Sequence, residues 1–298
     1  MTKTIYFEGI FYLVPYSLCM VVMARPAYLN NVGYKIMFLM GFIDLTALLT
    51  AAILSGILSI IGFDWTQHFL IAKMLGALGY TVWVWYWTLC VVLAINRLVE
   101  LTFASMPSFT HATGWRLWIW LLVTAAISFG FFAVLLSPYA TVYYDAGAAM
   151  LVPDPCGEAY GFYVGLALDN GGPIFVAPLN LAVIYAYRRR VRGATGEGLA
   201  EKAFIPLERA VVRQCLAISS LVILCGVTYS NLYLFNVSHE ILLKISTAFW
   251  LAAHGSNSII YLTLNKRMRA DVLALLRCQK EGGGGVSLAV RNHSVRTV

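Results

Sequence analysis

Few residues of this chain have the types and spacing that enzymatic chemistry requires. The sequence contains no HExxH zinc motif, no GxSxG nucleophile motif, no glycine-rich phosphate loop after a strand and no CxxC pair. The acidic residues Asp145, Asp154 and Glu158 lie in a predicted loop, where solvated charge explains them better than a metal site. We therefore predict no catalytic residue, no cofactor and no bound metal.

The residues that need a chemical explanation are polar groups within long apolar stretches. The stretch LAINRLVE at 93–100 ends an apolar run with Asn96, Arg97 and Glu100. Steps of three and four residues back from Arg97 place a polar and aromatic stripe on one helical face: Ala94, Cys90, Trp87, Trp83, Tyr80, Gly76 and Lys73. Such a stripe avoids lipid, so we predict that it faces the interior of a helical bundle. For Arg97 itself, both snorkelling to the membrane surface and a functional role remain open.

Two further apolar stretches contain polar residues. Asp44 lies within FIDL. One face of a later stretch carries Trp250, His254, Asn257, Tyr261 and Asn265. A charged group at the centre of a membrane costs ~2.5 to 3.5 kcal/mol on insertion scales, so ionisable residues at that depth carry a functional hypothesis.

The composition identifies the surroundings of these helices as a lipid bilayer. Hydrophobic residues make up 60% of the 298 residues and charged residues 12%, which is more apolar surface than a soluble core of this size buries. A spanning helix needs ~20 mostly apolar residues. Seven stretches qualify: 6–24, 36–61, 69–95, 117–137, 161–187, 215–236 and 244–264. We predict an all-α membrane protein, a seven-transmembrane helix bundle.

The first stretch is the weakest, because it contains Glu8 and Pro15. A cleaved signal peptide is the competing interpretation. The stretch has no basic N-terminal region and no small-residue cleavage site, so we favour a spanning helix.

The distribution of Lys and Arg predicts the orientation of the chain. Eighteen of the 21 follow the first, third, fifth and seventh stretches, and only Lys3, Lys73 and Lys244 lie on the other side. The N-terminus is therefore predicted to be extracellular and the C-terminus cytoplasmic. The net charge of +7 indicates contact with membrane lipids, not with nucleic acid.

The residues after the seventh stretch divide into two parts. Between 266 and 279, Met268, Val272 and Leu275 are spaced for one face among basic residues, which predicts a short amphipathic helix in the membrane interface. Cys278 at its end is a candidate lipidation site. We predict a domain of seven spans at 1–265, the interfacial helix at 266–279 and a disordered cytoplasmic tail at 280–298.

These motifs, in this order, resemble those of rhodopsin-like G-protein-coupled receptors. FIDL, NRLVE and NSIIY stand where that family has its helix-2 aspartate, its acid-Arg-aromatic motif and its Asn-Pro-x-x-Tyr motif. More closely, GYKIMFLMGFIDL, LAINRLVEL and HGSNSIIYLTLNKRMRADV are similar to the nematode serpentine chemoreceptors, most of all to class T, over nearly the whole chain. The resemblance implies a chemosensory receptor in the plasma membrane of sensory neurons. It would transmit the binding of a small extracellular ligand, an odorant or metabolite, to a cytoplasmic heterotrimeric G protein.

The sequence departs from the rhodopsin-like pattern in three places. The usual cysteine at the top of helix 3 would fall near Ala72 and is absent, and helix 6 has no Cys-Trp-x-Pro motif. Helix 1 lacks the asparagine that partners the helix-2 aspartate, which puts a sodium ion at Asp44 in doubt. A hydrogen-bonded carboxyl and an ion site remain alternatives there.

The main alternative function is a transporter or channel for a small solute. A transporter would carry several charges at membrane depth and broken helices in matching halves. This sequence predicts such a break only at DNGGPIFVAP in the fifth stretch. A purely structural membrane protein would not explain the polar stripes.

Two sets of functional residues follow from the receptor hypothesis. For the ligand, in the outer half of the bundle, the set is Lys73, Tyr80, Trp83, Asp169, Tyr229, Trp250 and His254. For the signalling switch, the set is Asp44, Asn96, Arg97, Glu208, Asn257 and Tyr261. Because Asn96 replaces the usual acid, Arg97 needs another partner, and we predict Glu208 at the foot of helix 6, with Glu100 one turn away as the alternative.

The orientation can be tested by glycosylation. An acceptor sequon engineered within 138–160 is expected to carry glycan, whereas the natural sequon at Asn292 stays bare, because only extracellular loops meet the glycosylation machinery. The sequon at Asn236 faces outward but lies close to the membrane, so little modification is expected there. A gel shift after glycosidase digestion measures each site. Glycan on Asn292 would overturn the orientation.

Overall fold

The computed structural model describes most of the chain. Its described ranges are 2–102, 115–140, 142–145, 150–153, 160–193, 199–234 and 240–277. Five helices in these ranges are long and apolar enough to cross a membrane: Val32–Ile60, Phe69–Thr102, Leu117–Leu136, Tyr163–Arg192 and Val212–Ser230. A shorter apolar helix covers Phe7–Met23. The predicted all-α bundle is confirmed.

The helices follow one another with short connections. In chain order they are α1 (Thr2–Met23), α2 (Pro26–Leu29), α3 (Val32–Leu48), α4 (Ser55–Ile60), α5 (Phe69–Thr102), α6 (Trp115–Leu136), α7 (Tyr160–Gly193), α8 (Leu199–Leu234), α9 (Glu240–Gly255), α10 (Asn257–Leu264) and α11 (Lys266–Leu276). A π-helical segment, Leu49–Leu54, joins α3 to α4, so that they form one span. A turn at Ser256 separates α9 from α10. We call the end of the bundle that holds Arg97 and α11 the basic end.

Helix α5 forms the centre of the bundle. In the most apolar segment of α5, 72% of the residues are buried, whereas the corresponding value for α6, at the periphery, is 17%. The stripe predicted to face inward is buried from Lys73 to Arg97, which confirms that prediction. Residues on the other faces of α5, including Val84 and Leu89, are also buried. The stripe is therefore one side of a helix that is surrounded on nearly all sides.

Helix α7 continues through the segment where the sequence predicts a break. Pro173 and Pro178 both lie inside an uninterrupted helix. Pro173 has no N–H to donate, so the carbonyl of Asp169 loses its helical partner. Helix α8 packs closely at this carbonyl: a Cβ added to Gly226 would lie 2.3 Å from Asp169 O and 2.8 Å from the Pro173 ring. Helix α8 thus packs closely against α7 at the turn that contains Pro173.

A two-stranded antiparallel sheet closes the other end of the bundle, which we call the hairpin end. Strand β1 (Val142–Asp145) pairs with β2 (Met150–Pro153), with Val142 opposite Pro153. A Cβ on Gly76 of α5 would lie 2.3 Å from Val142 O, so the strand rests directly on the α5 backbone. The sequence predicts only a loop here, because the strands are short and their partner is a helix end.

Helix α11 is fastened to the basic end by hydrogen bonds. Asn265 caps it by accepting from Met268 N at 3.1 Å, and the same side chain donates to Tyr34 Oη at 2.6 Å. The hydroxyl of Tyr28 on α2 donates to Asp271 Oδ2 at 2.5 Å. Burial and then this hydrogen bond raise the pKa of Tyr28, so the phenol keeps its proton and remains a donor. Cys278 lies outside the described residues, and the domain boundaries at 265 and 279 stay predictions.

A matched pair of glycine substitutions tests the contact between α7 and α8. Gly226→Ala is expected to destabilise the fold by about 1 to 3 kcal/mol, because its methyl group overlaps a backbone carbonyl that cannot move away. Gly130→Ala on α6 is the control, since an added Cβ there meets nothing within 4 Å. Thermal unfolding of the purified protein in detergent measures both. Equal unfolding temperatures for the two variants would contradict the close packing.

Candidate functional site

A completely buried carboxylate organises the middle of the bundle. Asp44 of α3 is 0% exposed. Its Oδ2 accepts hydrogen bonds from the hydroxyl of Tyr16 on α1 and from Asn257 Nδ2 on α10, the latter at 2.7 Å. Its Oδ1 lies 2.8 Å from Nδ1 of His254 on α9. Three helices therefore direct polar groups at a single side chain, which offsets the cost of burying it.

The cluster extends to the central helix through Tyr86. Asn257 Nδ2 also donates to Tyr86 Oη at 2.8 Å, and that hydroxyl donates to Ala253 O at 2.9 Å. The turn at Ser256 separates His254 of α9 from Asn257 of α10. Both of these side chains contact Asp44. We call these five side chains, Asp44, Tyr16, His254, Asn257 and Tyr86, the Asp44 cluster.

The contacts in the cluster help to decide between the two alternatives for Asp44, a hydrogen-bonded carboxyl and an ion site. Helix α1 contains no asparagine, and its donor to Asp44 is Tyr16. Both carboxylate oxygens already accept from or contact protein groups. This arrangement supports the hydrogen-bonded carboxyl more than an ion site.

An aromatic layer covers the hairpin-end side of the cluster. The ring of His254 packs edge-on against Trp250, with centroids 4.7 Å apart, and against Trp83 at 6.0 Å. It also contacts Tyr86 at 4.6 Å. Three of the predicted ligand residues, Trp83, Trp250 and His254, are thus brought together. His254 belongs to both the aromatic layer and the Asp44 cluster.

The other predicted ligand residues are buried on three helices or lie at the hairpin end. Tyr80, Asp169 and Tyr229 are buried on α5, α7 and α8. Lys73 donates to Ser137 O at 2.7 Å at the hairpin end. It lies ten residues before Trp83, about 15 Å along the helix axis. The structure does not place Lys73 beside the aromatic layer.

Arg97 turns inward at the basic end instead of extending to the membrane surface. The residue is 8% exposed. Its guanidinium pairs with Glu100, and Glu100 also accepts from Asn96 Nδ2 at 3.0 Å. A Cβ on Gly33 of α3 would lie 1.6 Å from Arg97 Nη2, so only glycine leaves room for the guanidinium there. The side chain of Glu208 lies outside the described ones, and its pairing with Arg97 stays a prediction.

Tyr16, Tyr86 and Gly33 also belong to these sites, although none of them is predicted from the sequence. Tyr86 had a detectable signal: steps of three and four from Trp83 reach Tyr86 and then Cys90 as readily as they reach Trp87. Tyr16 and Gly33 had none, since a tyrosine or a glycine in an apolar helix is unremarkable until its neighbour is known. Tyr261, predicted for the switch, packs edge-on against Tyr16 with ring centroids 6.4 Å apart.

Comparisons with known proteins agree with this architecture. The family described as "Serpentine type 7TM GPCR chemoreceptor Srt" matches residues 1–283. The chain belongs to this family. No curated protein matches the receptor significantly. Among solved structures, squid rhodopsin is similar, with a TM-score of 0.76 and 12% sequence identity over 95% of the receptor and 83% of the rhodopsin chain. At that identity, the similarity shows the shared fold alone.

Family membership gives the coarse function. The chain is an integral membrane protein of a family of G-protein-coupled-receptor-like chemoreceptors, which is a receptor family and not an enzyme class. The Asp44 cluster and Arg97 are therefore features of a receptor bundle, and the roles of their individual side chains are proposals.

The Asp44 cluster predicts an asymmetry between two tyrosines. Tyr16→Phe removes a donor from a buried carboxylate and is expected to cost about 1 to 3 kcal/mol of unfolding free energy. Tyr185→Phe on α7 is the control, because that side chain is 69% exposed and faces away from the bundle. Thermal unfolding in detergent compares them. If Tyr16→Phe unfolds at the temperature of the control, Asp44 does not depend on this bond.

Proposed function

We propose that this protein is a chemosensory receptor that binds a small extracellular ligand near the hairpin end and signals to a heterotrimeric G protein at the basic end. The observation that carries the proposal is the double role of His254. Its ring forms part of the aromatic layer, and its Nδ1 contacts Asp44 in the cluster below. A ligand that moves the layer would therefore act directly on the polar contacts between the helices.

The first step of such a mechanism is a shift of Trp83 or Trp250 on ligand binding. Because both pack against His254, the imidazole moves with them, and its contact with Asp44 lengthens or breaks. Asn257 bonds both Asp44 and Tyr86, so the change reaches α5 and α10 together. A cluster with two arrangements of similar energy is the kind of element that a ligand can bias.

The second step concerns Arg97. Its guanidinium lies over the first turn of α3 at Gly33 and within electrostatic reach of Cys215 on α8. In the active state we propose that it leaves Gly33 and Glu100 and contacts the G protein. Movement of α8 away from α5 would open the space for that partner.

The proposed orientation and location follow the charge distribution. Excess Lys and Arg at the basic end favours the cytoplasmic side, with the N-terminus extracellular, in the plasma membrane of a sensory neuron. A transporter is less well supported, because α7 is continuous at the segment where a break would be needed.

Arginine substitutions test the proposed function without a known ligand. Arg97→Ala is expected to abolish basal coupling to G protein while the receptor still reaches the cell surface, because the proposed contact residue is gone. Arg277→Ala, an exposed arginine at the same end, is the control and should couple normally. A nucleotide-exchange assay in membranes measures coupling, and surface labelling measures expression. Normal coupling by Arg97→Ala would contradict the proposal that Arg97 contacts the G protein.

Substitutions of Glu208 and Glu100 show which of the two glutamates is the resting partner of Arg97. A pair between α5 and Glu208 on α8 would hold the helices together, so Glu208→Ala should raise basal signalling by up to about five-fold, the effect of losing ~1 kcal/mol. Glu100→Ala removes a partner on the same helix and should change basal signalling less. A larger increase for Glu100→Ala would make Glu100 the resting partner.

A further inference from the structure

A second buried carboxylate lies away from the Asp44 cluster. Asp169 of α7 is 4% exposed. Its Oδ2 has no hydrogen-bond partner, and within the described ranges no Lys, Arg or His forms an ion pair with it. A carboxylate removed from water without such partners is unfavourable when ionised. The site therefore favours either a proton or a positively charged group.

Contacts between α5 and α7 give the depth of this carboxylate. A Cβ on Gly165 would lie 3.6 Å from Tyr80 Oη, and one on Gly172 would lie 3.3 Å from the Cβ of Trp87. Both pairs are offset by 85 positions, so the two helices run in the same direction and in register. With that offset, the carboxylate lies at the depth of Trp83. This is the depth of the aromatic layer.

Three indole rings near this depth have unused donors, since Nε1 of Trp83, Trp85 and Trp87 are each buried without a hydrogen-bond partner. Trp85 packs against Phe129 of α6, whereas Trp83 and Trp87 belong to the stripe of α5 that faces the interior. The Trp87 ring lies against α7, where it would meet a Cβ on Gly171 at 2.8 Å. Indole faces attract cations, and indole N–H groups bind acceptor atoms. A buried carboxylate with tryptophans at the same depth matches a ligand that has a cationic group on an organic body.

Among the side chains that the structure describes, no cation pairs with Asp169. Lys73 is the basic residue of α5 on this side of the bundle, and its ammonium donates to Ser137 O. By the helical rise, it lies about 16 Å nearer the hairpin end than Asp169. On the α8 side, the thiol of Cys225 is in electrostatic contact with Asp169, and it carries no positive charge.

We propose that Asp169 binds the protonated amine of the ligand and that Trp83 and Trp87 hold the ligand's hydrophobic body. This inference rests on the proposed receptor function and adds the charge class of the ligand: a small organic amine, in preference to neutral or acidic molecules of the same shape. The ammonium would donate to the free Oδ2, so the carboxylate is ionised when the ligand is bound. The indole rings would select the size of the body attached to the amine.

Thermal unfolding of the full-length receptor in detergent tests the charge class. The probes share one aromatic body and differ in the head group: 2-phenylethylamine, its N,N,N-trimethyl derivative, 2-phenylethanol and 3-phenylpropionate. The two cations are expected to raise the unfolding temperature of the wild-type receptor, because a ligand that binds only the folded state stabilises it. Asp169→Asn should weaken the effect of the primary amine at least 30-fold in concentration, the usual loss when one partner of a buried charge pair is removed.

Asp64→Asn is the matched control, because it makes the same change on a loop aspartate bonded to Thr66. It should respond to every probe as the wild type does. Without any probe, Asp169→Asn should unfold at the same or a higher temperature than the wild type, since it removes an unpaired buried carboxylate.

Three results would overturn the proposal. The first is a lower unfolding temperature for Asp169→Asn without probe, which would mean that the carboxylate has a structural partner. The second is protection by neither cation. The third is equal or better protection by the alcohol or the acid, in which case Trp83→Ala shows whether the same site is used. The receptor function fails separately, through the coupling assay of Arg97→Ala, which needs no ligand.

Discussion

A carboxylate at the centre of an apolar bundle keeps its place only when other helices supply it with donors, and Asp44 obtains them from α1, α9 and α10. Each of these bonds has a length and a direction, so each fixes the depth and rotation of a helix that lipid alone would leave free to slide. Apolar side chains on these helices pack well in many registers, whereas the polar contacts are satisfied in few. The bundle's geometry therefore depends on a handful of hydrogen bonds more than on its buried area.

Arg97, at the basic end, is held less firmly than Asp44. A guanidinium over the first turn of a helix meets the positive end of the helix dipole, which is unfavourable by some tenths of a kcal/mol. Arg97 occupies such a position beside Gly33, and Glu100 offsets the charge. A cation that is neutralised by its own helix and packed against a neighbour through a single glycine can move away at low cost. The contrast between a well-bonded Asp44 and a weakly held Arg97 suits a protein that transmits a signal from the centre of the bundle to the basic end.

Much of the architecture could be predicted from the sequence, because the length and hydropathy of a segment identify it as a spanning helix. The motifs that contain Asp44, Arg97 and Asn257, in that order along the chain, also predicted the family correctly. The contacts among these residues could not be predicted. Whether Tyr16 or an asparagine reaches Asp44 depends on the rotation of α1, and rotation is set by packing across the whole bundle. The continuous helix at Pro173 could not be predicted from local sequence rules either, since Gly226 of another helix packs against this turn. The β-hairpin was missed for a similar reason, because its strands rest on the end of α5.

The attachment of α11 has a practical consequence. Its cap residue Asn265 bonds Tyr34 on α3, and Asp271 bonds Tyr28 on α2, so α11 moves with the first two spans. It thus provides a fixed reference frame on the face of the protein where α8 would have to travel. Leu276, at the end of α11, is 58% exposed and makes a suitable place for a spectroscopic label. A distance from that label to one on α8 would report the displacement of α8 itself, free of any rotation of the molecule in its membrane.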